Sequence, residues 1–167
     1  MARPVSEIQD LARTVRLFAI VCSVTLGVLI VVNHAIPAVV AIARGGEWSE
    51  RLSAAGVYIV RAIPLVFFAL AARKFRQALD DYKAGRFFEA RAARFVSDAG
   101  VDVAWAIIAY ALIVPNVVLW TVNRGGGMTA NLGSETIALF GFALFIVALG
   151  RILEQAAALK AENDAIV

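Results

Sequence analysis

The 167-residue sequence contains one cysteine, one histidine and no recognisable catalytic motif. Cys22 lies in an apolar run and has no partner, so neither an intrachain disulfide nor a cysteine-based metal site is available. One histidine cannot build a multi-histidine metal site. A Walker loop, a Gly-x-Ser-x-Gly elbow and a His-Glu-x-x-His motif are also missing. We therefore predict a protein that is not an enzyme, with no metal and no cofactor.

Charge is scarce as well. The sequence holds 16 Lys and Arg against 13 Asp and Glu, and a net charge of +3 is too small for a nucleic-acid-binding surface. Charged residues make up 17% and apolar residues 61%, where soluble domains have about 25% and about 50%. A soluble fold of this size leaves roughly 30% of its unfolded surface in water, so it could not hide this excess. Composition thus excludes a soluble multidomain enzyme and a disordered segment, and it predicts one small unit in a lipid bilayer.

Four apolar stretches come close to the roughly 20 residues that a helix needs to cross the hydrocarbon core. We place the spans at residues 17–40, 52–72, 101–122 and 136–153, with a loop at 73–100 and a tail at 154–167. The fourth is short, but Arg151 near its end can snorkel to the interface. The prediction is an all-α, integral membrane four-helix bundle in a single domain.

The first span has a second possible interpretation as a cleaved signal peptide, because Arg3, Arg13 and Arg16 precede the apolar run. A signal peptide has an apolar region of about 7 to 15 residues. Here the uncharged run continues from Leu17 to Ala43. An uncleaved anchor fits this length better.

Orientation follows from the distribution of Lys and Arg, since cytoplasmic segments carry the excess. Residues 1–16, the loop at 73–100 and the tail, counted with Arg151 just before it, hold twelve of these residues, and the two remaining loops hold three. We therefore predict that both termini are cytoplasmic and that the second and fourth helices extend into the cytoplasm. The two outer loops repeat Arg-Gly-Gly at 44 and 124, with Pro37 and Pro115 upstream. This similarity hints at two duplicated hairpins.

The cytoplasmic loop carries most of the positive charge. Residues 73–84 continue the second helix, and an amphipathic helix that starts at Phe87 leads into the third span and inserts its phenylalanines at the acyl boundary. Two interpretations stay open, an ordinary topology determinant and a dock for anionic lipid or a protein partner. The dock would use Arg73, Lys74, Arg86, Phe88, Arg91 and Arg94.

Polar residues inside a membrane are functional candidates because lipid does not solvate them. Four lie at similar depth in the outer half of the predicted bundle: Arg61, Asn33, His34 and Asn116. We predict a polar cluster in which Arg61 donates to Asn116 and to carbonyls freed near Pro64 or Pro115. The alternatives are that Arg61 snorkels to the interface and that His34 is an interfacial or capping residue.

The C-terminal tail reads Leu159-Lys160, then Glu162-Asn163-Asp164, with Val167 at the end. This ending resembles a bacterial membrane-protein family catalogued as domain of unknown function 2975. The Gly85-Arg86-Phe87 junction and Pro64 in the second span are similar to that family too. The resemblance implies a four-span protein of the bacterial inner membrane, sometimes encoded beside a small cytoplasmic helix-turn-helix regulator. It brings no activity with it.

Two function classes are compatible with these features. The first is a non-enzymatic scaffold or regulator that binds a cytoplasmic partner through the loop at 73–100 and the tail, with Glu162, Asn163 and Asp164 as contacts. Those tail residues would otherwise contact the basic loop or form a solvated helix end. The second class is a small transporter or channel subunit with an anion or lipid-headgroup site at Arg61. Such a subunit would need to form a homo-oligomer.

Overall fold

The computed structural model describes residues 5–84, 89–123 and 127–166. Its α-helices are α1 (Val5–Ile30), α2 (Ile36–Ala43), α3 (Trp48–Lys83), α4 (Ala90–Ile108), α5 (Val114–Asn123) and α6 (Ser134–Ile166). Two five-residue π turns, Val31–Ala35 and Ala109–Ile113, join α1 to α2 and α4 to α5. The chain therefore forms four long helical units, which we call the first, second, third and fourth spans.

All four spans are long and apolar enough to cross a membrane, with mean hydropathies of 2.0 to 2.6 over an 18-residue window of each. Large apolar side chains such as Phe18, Val39 and Phe145 are exposed. This surface is compatible with contact to a lipid bilayer. The prediction of an all-helical protein with four membrane-capable helices is confirmed, and the described ranges contain no strand.

The two π turns have the same cause. A proline inside a helix has no N–H to donate, and its ring clashes with the carbonyl four residues earlier. Just before Pro37, the Ile36 N–H donates to the carbonyl of Val31, five residues back. Just before Pro115, the Val114 N–H donates to the carbonyl of Ala109 in the same way. Each π turn thus widens the helix by one residue where proline needs the space.

The spans pack in chain order. α1 and α2 pack against α3, α3 packs against α4 and α5, and α4 has its most extensive contact with α6. Because consecutive spans are antiparallel, the start of α1, the end of α3, the start of α4 and the end of α6 lie at one end of the molecule. We call this the charged end, and we call the opposite end, with the connections at 44–47 and 127–133, the loop end.

α4 and α6 approach each other closely because small residues line their contact. A β-carbon on Gly100 would lie 2.8 Å from the backbone nitrogen of Val147, and one on Gly150 would lie 2.7 Å from the Cα of Ser97. Ala93 and Ala143 are buried on the same two helices. Small residues are what allow helix backbones to pack at short range in a membrane.

Helices α3 and α6 both continue beyond their apolar stretches. At 36 residues, α3 is about 54 Å long, against a hydrocarbon core of about 30 Å. The helical extensions that we predicted for residues 73–84 and for the tail are present. α4 begins at Ala90 and runs without a break into the third span, so residues 90–100 belong to the spanning helix itself. The helix start expected at Phe87 lies outside the described residues.

Candidate functional site

The charged end is held together by ion pairs that join consecutive spans. Arg16 of α1 pairs with Asp80 of α3. On the next interface, Lys74 Nζ of α3 lies 2.8 Å from Asp102 Oδ2 of α4. Across the last interface, Arg94 Nε of α4 donates to Glu154 Oε1 of α6 at 2.7 Å. Among the described residues, a charge pair thus crosses each of three helix interfaces: α1–α3, α3–α4 and α4–α6.

The pair between Lys74 and Asp102 is the most enclosed of the three. The Lys74 side chain is 32% exposed and the Asp102 side chain is 11% exposed. Asp102 follows Arg94 by eight residues, which places it about 12 Å farther from the charged end. A carboxylate this deep needs a cation, because an unpaired charge in a low-dielectric setting is costly. The sequence carries a signal for this pair, because Lys74 follows the second apolar stretch and Asp102 begins the third.

Glu154 accepts from two arginines. Besides the Arg94 contact, Arg151 Nη1 donates to Glu154 Oε2 at 3.1 Å on the same helix. The hydrogen bond from Arg94 is the main reason that the pKa of the Glu154 carboxyl lies below its ordinary value, and the bond from Arg151 also lowers it. Glu154 therefore stays ionised and keeps both guanidinium groups at the end of the fourth apolar stretch.

The residues predicted to form a partner dock divide into two groups. Lys74 and Arg94 are used within the chain, because they pair with Asp102 and Glu154. Arg73 and Arg91 are exposed, and the Arg91 guanidinium lies 5.4 Å from the centre of the Phe95 ring. The predicted contacts Arg86 and Phe88 lie outside the described residues. Arg73 and Arg91 are therefore the described arginines of the predicted dock that lie outside these two pairs.

The tail residues are open to solvent. α6 continues through Ile166, and every side chain from Ala158 to Ala165 is exposed, including Glu162, Asn163 and Asp164. Leu159 is 65% exposed, although it is a large apolar residue. Among the ion pairs of the described residues, the basic loop pairs with Glu154 and not with Glu162 or Asp164. These tail residues are thus exposed, and their contact with the basic loop or with a partner stays a prediction.

At the loop end, Asn116 holds the segment that precedes α6. Its Nδ2 donates to the carbonyl of Thr129 at 2.7 Å and to that of Leu112 at 2.6 Å, and its Oδ1 accepts from the Thr129 N–H at 2.9 Å. Trp120 Nε1 donates to the carbonyl of Gly127 at 2.8 Å. The Asn131 N–H donates at 2.9 Å to the carbonyl of Ala111, which is the one that Pro115 leaves without a helical donor.

These contacts correct the predicted polar cluster. The hydrogen bond expected from Arg61 to Asn116 is absent, because both amide atoms of Asn116 are used by Thr129 and Leu112. The Ala111 carbonyl, which Pro115 leaves without a helical donor, likewise accepts a hydrogen bond from the Asn131 N–H. The sequence could not show that a loop thirteen residues later would return to Asn116.

The other three members of the predicted cluster lie in different surroundings. His34 borders a small cavity of about 300 Å³ with Ile59 and Val66 of α3, and its buried Nδ1 has no partner among the described residues. Asn33 and Arg61 are exposed, and neither makes a hydrogen bond or ion pair with the part of the chain that the structure describes. The structure thus does not bring the four residues together.

A groove lies between the first and fourth spans. It has a volume of about 870 Å³ and is lined by all four spans, including Cys22 of α1, Phe68 and Phe75 of α3, Val103 of α4 and Phe142 of α6. Its lining is almost entirely apolar. Sequence periodicity could not reveal it, because an apolar side chain that lines a groove and one that faces lipid give the same pattern.

Within the described residues, no group of three or more His, Cys, Asp or Glu side chains is arranged to hold a metal ion. The model of a family described as "Protein of unknown function (DUF2975)" matches residues 35–167 of the chain. This match confirms the resemblance inferred from the tail and from the junction at 85–87. No curated protein and no solved structure matches the chain.

Proposed function

The chain belongs to the DUF2975 family, and we propose that it is a non-catalytic scaffold or regulator that binds a soluble protein at its charged end. We place it in the bacterial inner membrane, with both termini in the cytoplasm. The excess of Lys and Arg at the charged end supports this orientation. A small helix-turn-helix regulator is the partner that the family resemblance implies.

The observation that carries this proposal is the exposed end of α6, residues 158–165. Ala157 is buried, but each of the next eight side chains is exposed. Leu159 lies three and four residues before Glu162 and Asn163, so the three share one helical face. An exposed leucine beside a carboxylate suits a partner groove that is apolar and rimmed by basic residues.

The nature of the groove favours binding over transport as the function. A pathway for ions needs polar groups along its wall, and the described lining of the 870 Å³ groove is apolar. The transporter alternative therefore depends on Arg61 alone. Ion or lipid flux through liposomes that disappears in Arg61→Gln would establish that alternative in place of ours.

The test is purification of the full chain from native membranes in mild detergent, followed by identification of the soluble proteins bound to it. We expect one soluble protein whose binding is lost in the Leu159→Glu variant and in the Glu162→Lys, Asp164→Lys double variant. Gln155→Lys is the matched control, because it adds a positive charge to the same helix before the exposed end begins. Binding that survives both tail variants would refute the proposal.

A further inference from the structure

Arg61 lies at the centre of the second span. It is thirteen residues from Trp48 at the loop end and thirteen residues from Lys74 at the charged end, or about 20 Å from each along the helix. Trp48 is exposed where an interfacial tryptophan would lie, and Lys74 pairs with Asp102 at the opposite end of the apolar stretch. The guanidinium is therefore near the midplane of the bilayer.

An arginine at this depth is expensive and is normally paired. Arg61 is exposed, and none of the hydrogen bonds and ion pairs among the described residues uses it. Inside the four apolar stretches Asp102 is the only acidic residue, and it is paired with Lys74 about 20 Å away. A second copy of this chain in the same orientation would thus bring no carboxylate to the depth of Arg61.

Arg61 also shares a helical face with the groove. It precedes Phe68 by seven residues, and Phe68 precedes Phe75 by seven. Residues at this spacing lie on one face of a helix, with a drift of only about 20° per seven residues. Phe68 and Phe75 both line the groove, so Arg61 continues the same stripe toward the loop end.

From this geometry we propose that the groove binds a membrane-spanning helix of another protein, which carries an Asp or Glu at its midplane that pairs with Arg61. An apolar helix suits the apolar lining, and a carboxylate can accept two parallel hydrogen bonds from the guanidinium. A phospholipid headgroup is a poorer match, because phosphates lie at the two interfaces and Arg61 is equally far from both. This site is separate from the exposed end of α6, so each proposal can fail without the other.

The test uses the full chain in phosphatidylcholine liposomes and a synthetic 25-residue Leu/Ala peptide with one central aspartate. A peptide with leucine at that position is the comparison, and binding is measured by energy transfer between dyes. We expect the aspartate peptide to bind at least tenfold more tightly. Arg61→Gln should remove this preference and Arg61→Lys should keep part of it. Arg73→Gln is the matched control, since Arg73 is exposed on the same helix but lies beyond the apolar stretch.

Cys22 provides an independent readout, because it lines the groove and is the only cysteine. The pairing of Arg16 with Asp80 sets the register of the antiparallel helices α1 and α3. Cys22 comes six residues after Arg16, and Lys74 comes six residues before Asp80, so Cys22 and Lys74 lie at the same level. A probe peptide with a cysteine thirteen residues from its aspartate, in the direction of the charged end, should form a disulfide with Cys22 under mild oxidation. The leucine peptide with the same cysteine should react more slowly.

Several outcomes would overturn the proposal. Equal binding of the aspartate and leucine peptides would do so, as would a preference that persists in Arg61→Gln. Retention of anionic phospholipid that depends on Arg61 would assign the site to a lipid headgroup instead. Self-association of the chain that depends on Arg61 and Asn33 would assign it to a second copy.

Discussion

Ser97 of α4 and Gly150 of α6 are in direct backbone contact, because a β-carbon on Gly150 would lie 2.7 Å from the Cα of Ser97. Ser97 is itself almost completely buried, at 1% exposed. The Arg94–Glu154 ion pair lies one turn away, three residues before Ser97 and four after Gly150. Because Gly150 has no side chain, α4 and α6 come close enough for Arg94 and Glu154 to pair.

We predict that Gly150→Ala destabilises the protein by about 1–3 kcal/mol, since the new methyl group would push against backbone and not against a movable side chain. Gly141→Ala on the same helix is the control, because a β-carbon there has no neighbour within 4 Å. Thermal unfolding in detergent measures both. If Gly150→Ala unfolds at the same temperature as Gly141→Ala, the close approach of α4 and α6 is refuted.

The Lys74–Asp102 pair predicts an asymmetry between single and double variants. Asp102→Ala should destabilise by about 1–3 kcal/mol, less than a fully buried pair would lose, because Lys74 is partly exposed and is partly solvated when left alone. Lys74→Met together with Asp102→Leu should recover most of that loss, since no unpaired charge remains. A double-mutant cycle by thermal unfolding gives the coupling energy.

Arg16→Met with Asp80→Leu is the matched comparison for that cycle. This pair also joins two spans but is more exposed, at 35% and 46%. We expect a coupling energy of at most about 1 kcal/mol there. A larger coupling for the exposed pair than for the Lys74–Asp102 pair would contradict our ranking.

Asn116→Ala should release the segment from Gly127 to Asn131, because three hydrogen bonds to Thr129 and Leu112 are lost. The expected destabilisation is about 1–3 kcal/mol. Amide hydrogen exchange at Thr129 is the sharper measurement, since its N–H loses its acceptor. Asn116→Asp keeps that acceptor and should protect the Thr129 amide better than alanine does. Asn33→Ala, at an exposed asparagine, should leave the exchange rate unchanged.

The pairing of Glu154 predicts a dependence on pH. A carboxyl whose pKa is lower in the folded than in the unfolded protein stabilises the fold above its unfolded pKa, and this contribution is lost as pH falls through the folded pKa. The hydrogen bond from Arg94 lowers the pKa of Glu154 from its ordinary value of 4.5. Wild type should therefore unfold at a higher temperature than Glu154→Gln near neutral pH, and the gap should close on acidification below about pH 4. A gap that is the same at both pH values would be inconsistent with the pairing.

The sequence predicted the helical architecture well, because hydropathy alone decides whether a helix can cross a bilayer. The run from Leu17 to Val40 and the continuation of the second helix past Arg73 both follow from spacing and composition. The sequence predicted the ion pairs only in part. Positive-charge counting explains why Lys74 and Arg94 lie at one end, but it does not show that each pairs across a helix interface.

The candidate site was harder to predict, because depth along a helix says nothing about the direction of a side chain. Arg61, His34 and Asn116 were grouped by depth, yet Asn116 pairs with the loop at Thr129 and His34 borders a different cavity. The π turns also change the faces on which residues after Pro37 and Pro115 lie. A period of 3.6 residues therefore misplaces side chains beyond them.

The three charge pairs determine which way this protein can deform. Each joins one span to the next at the charged end, and none of these three joins α1 to α6. The first and fourth spans can therefore move apart at the loop end while these three pairs stay intact, so the width of the groove between them is the dimension that can change.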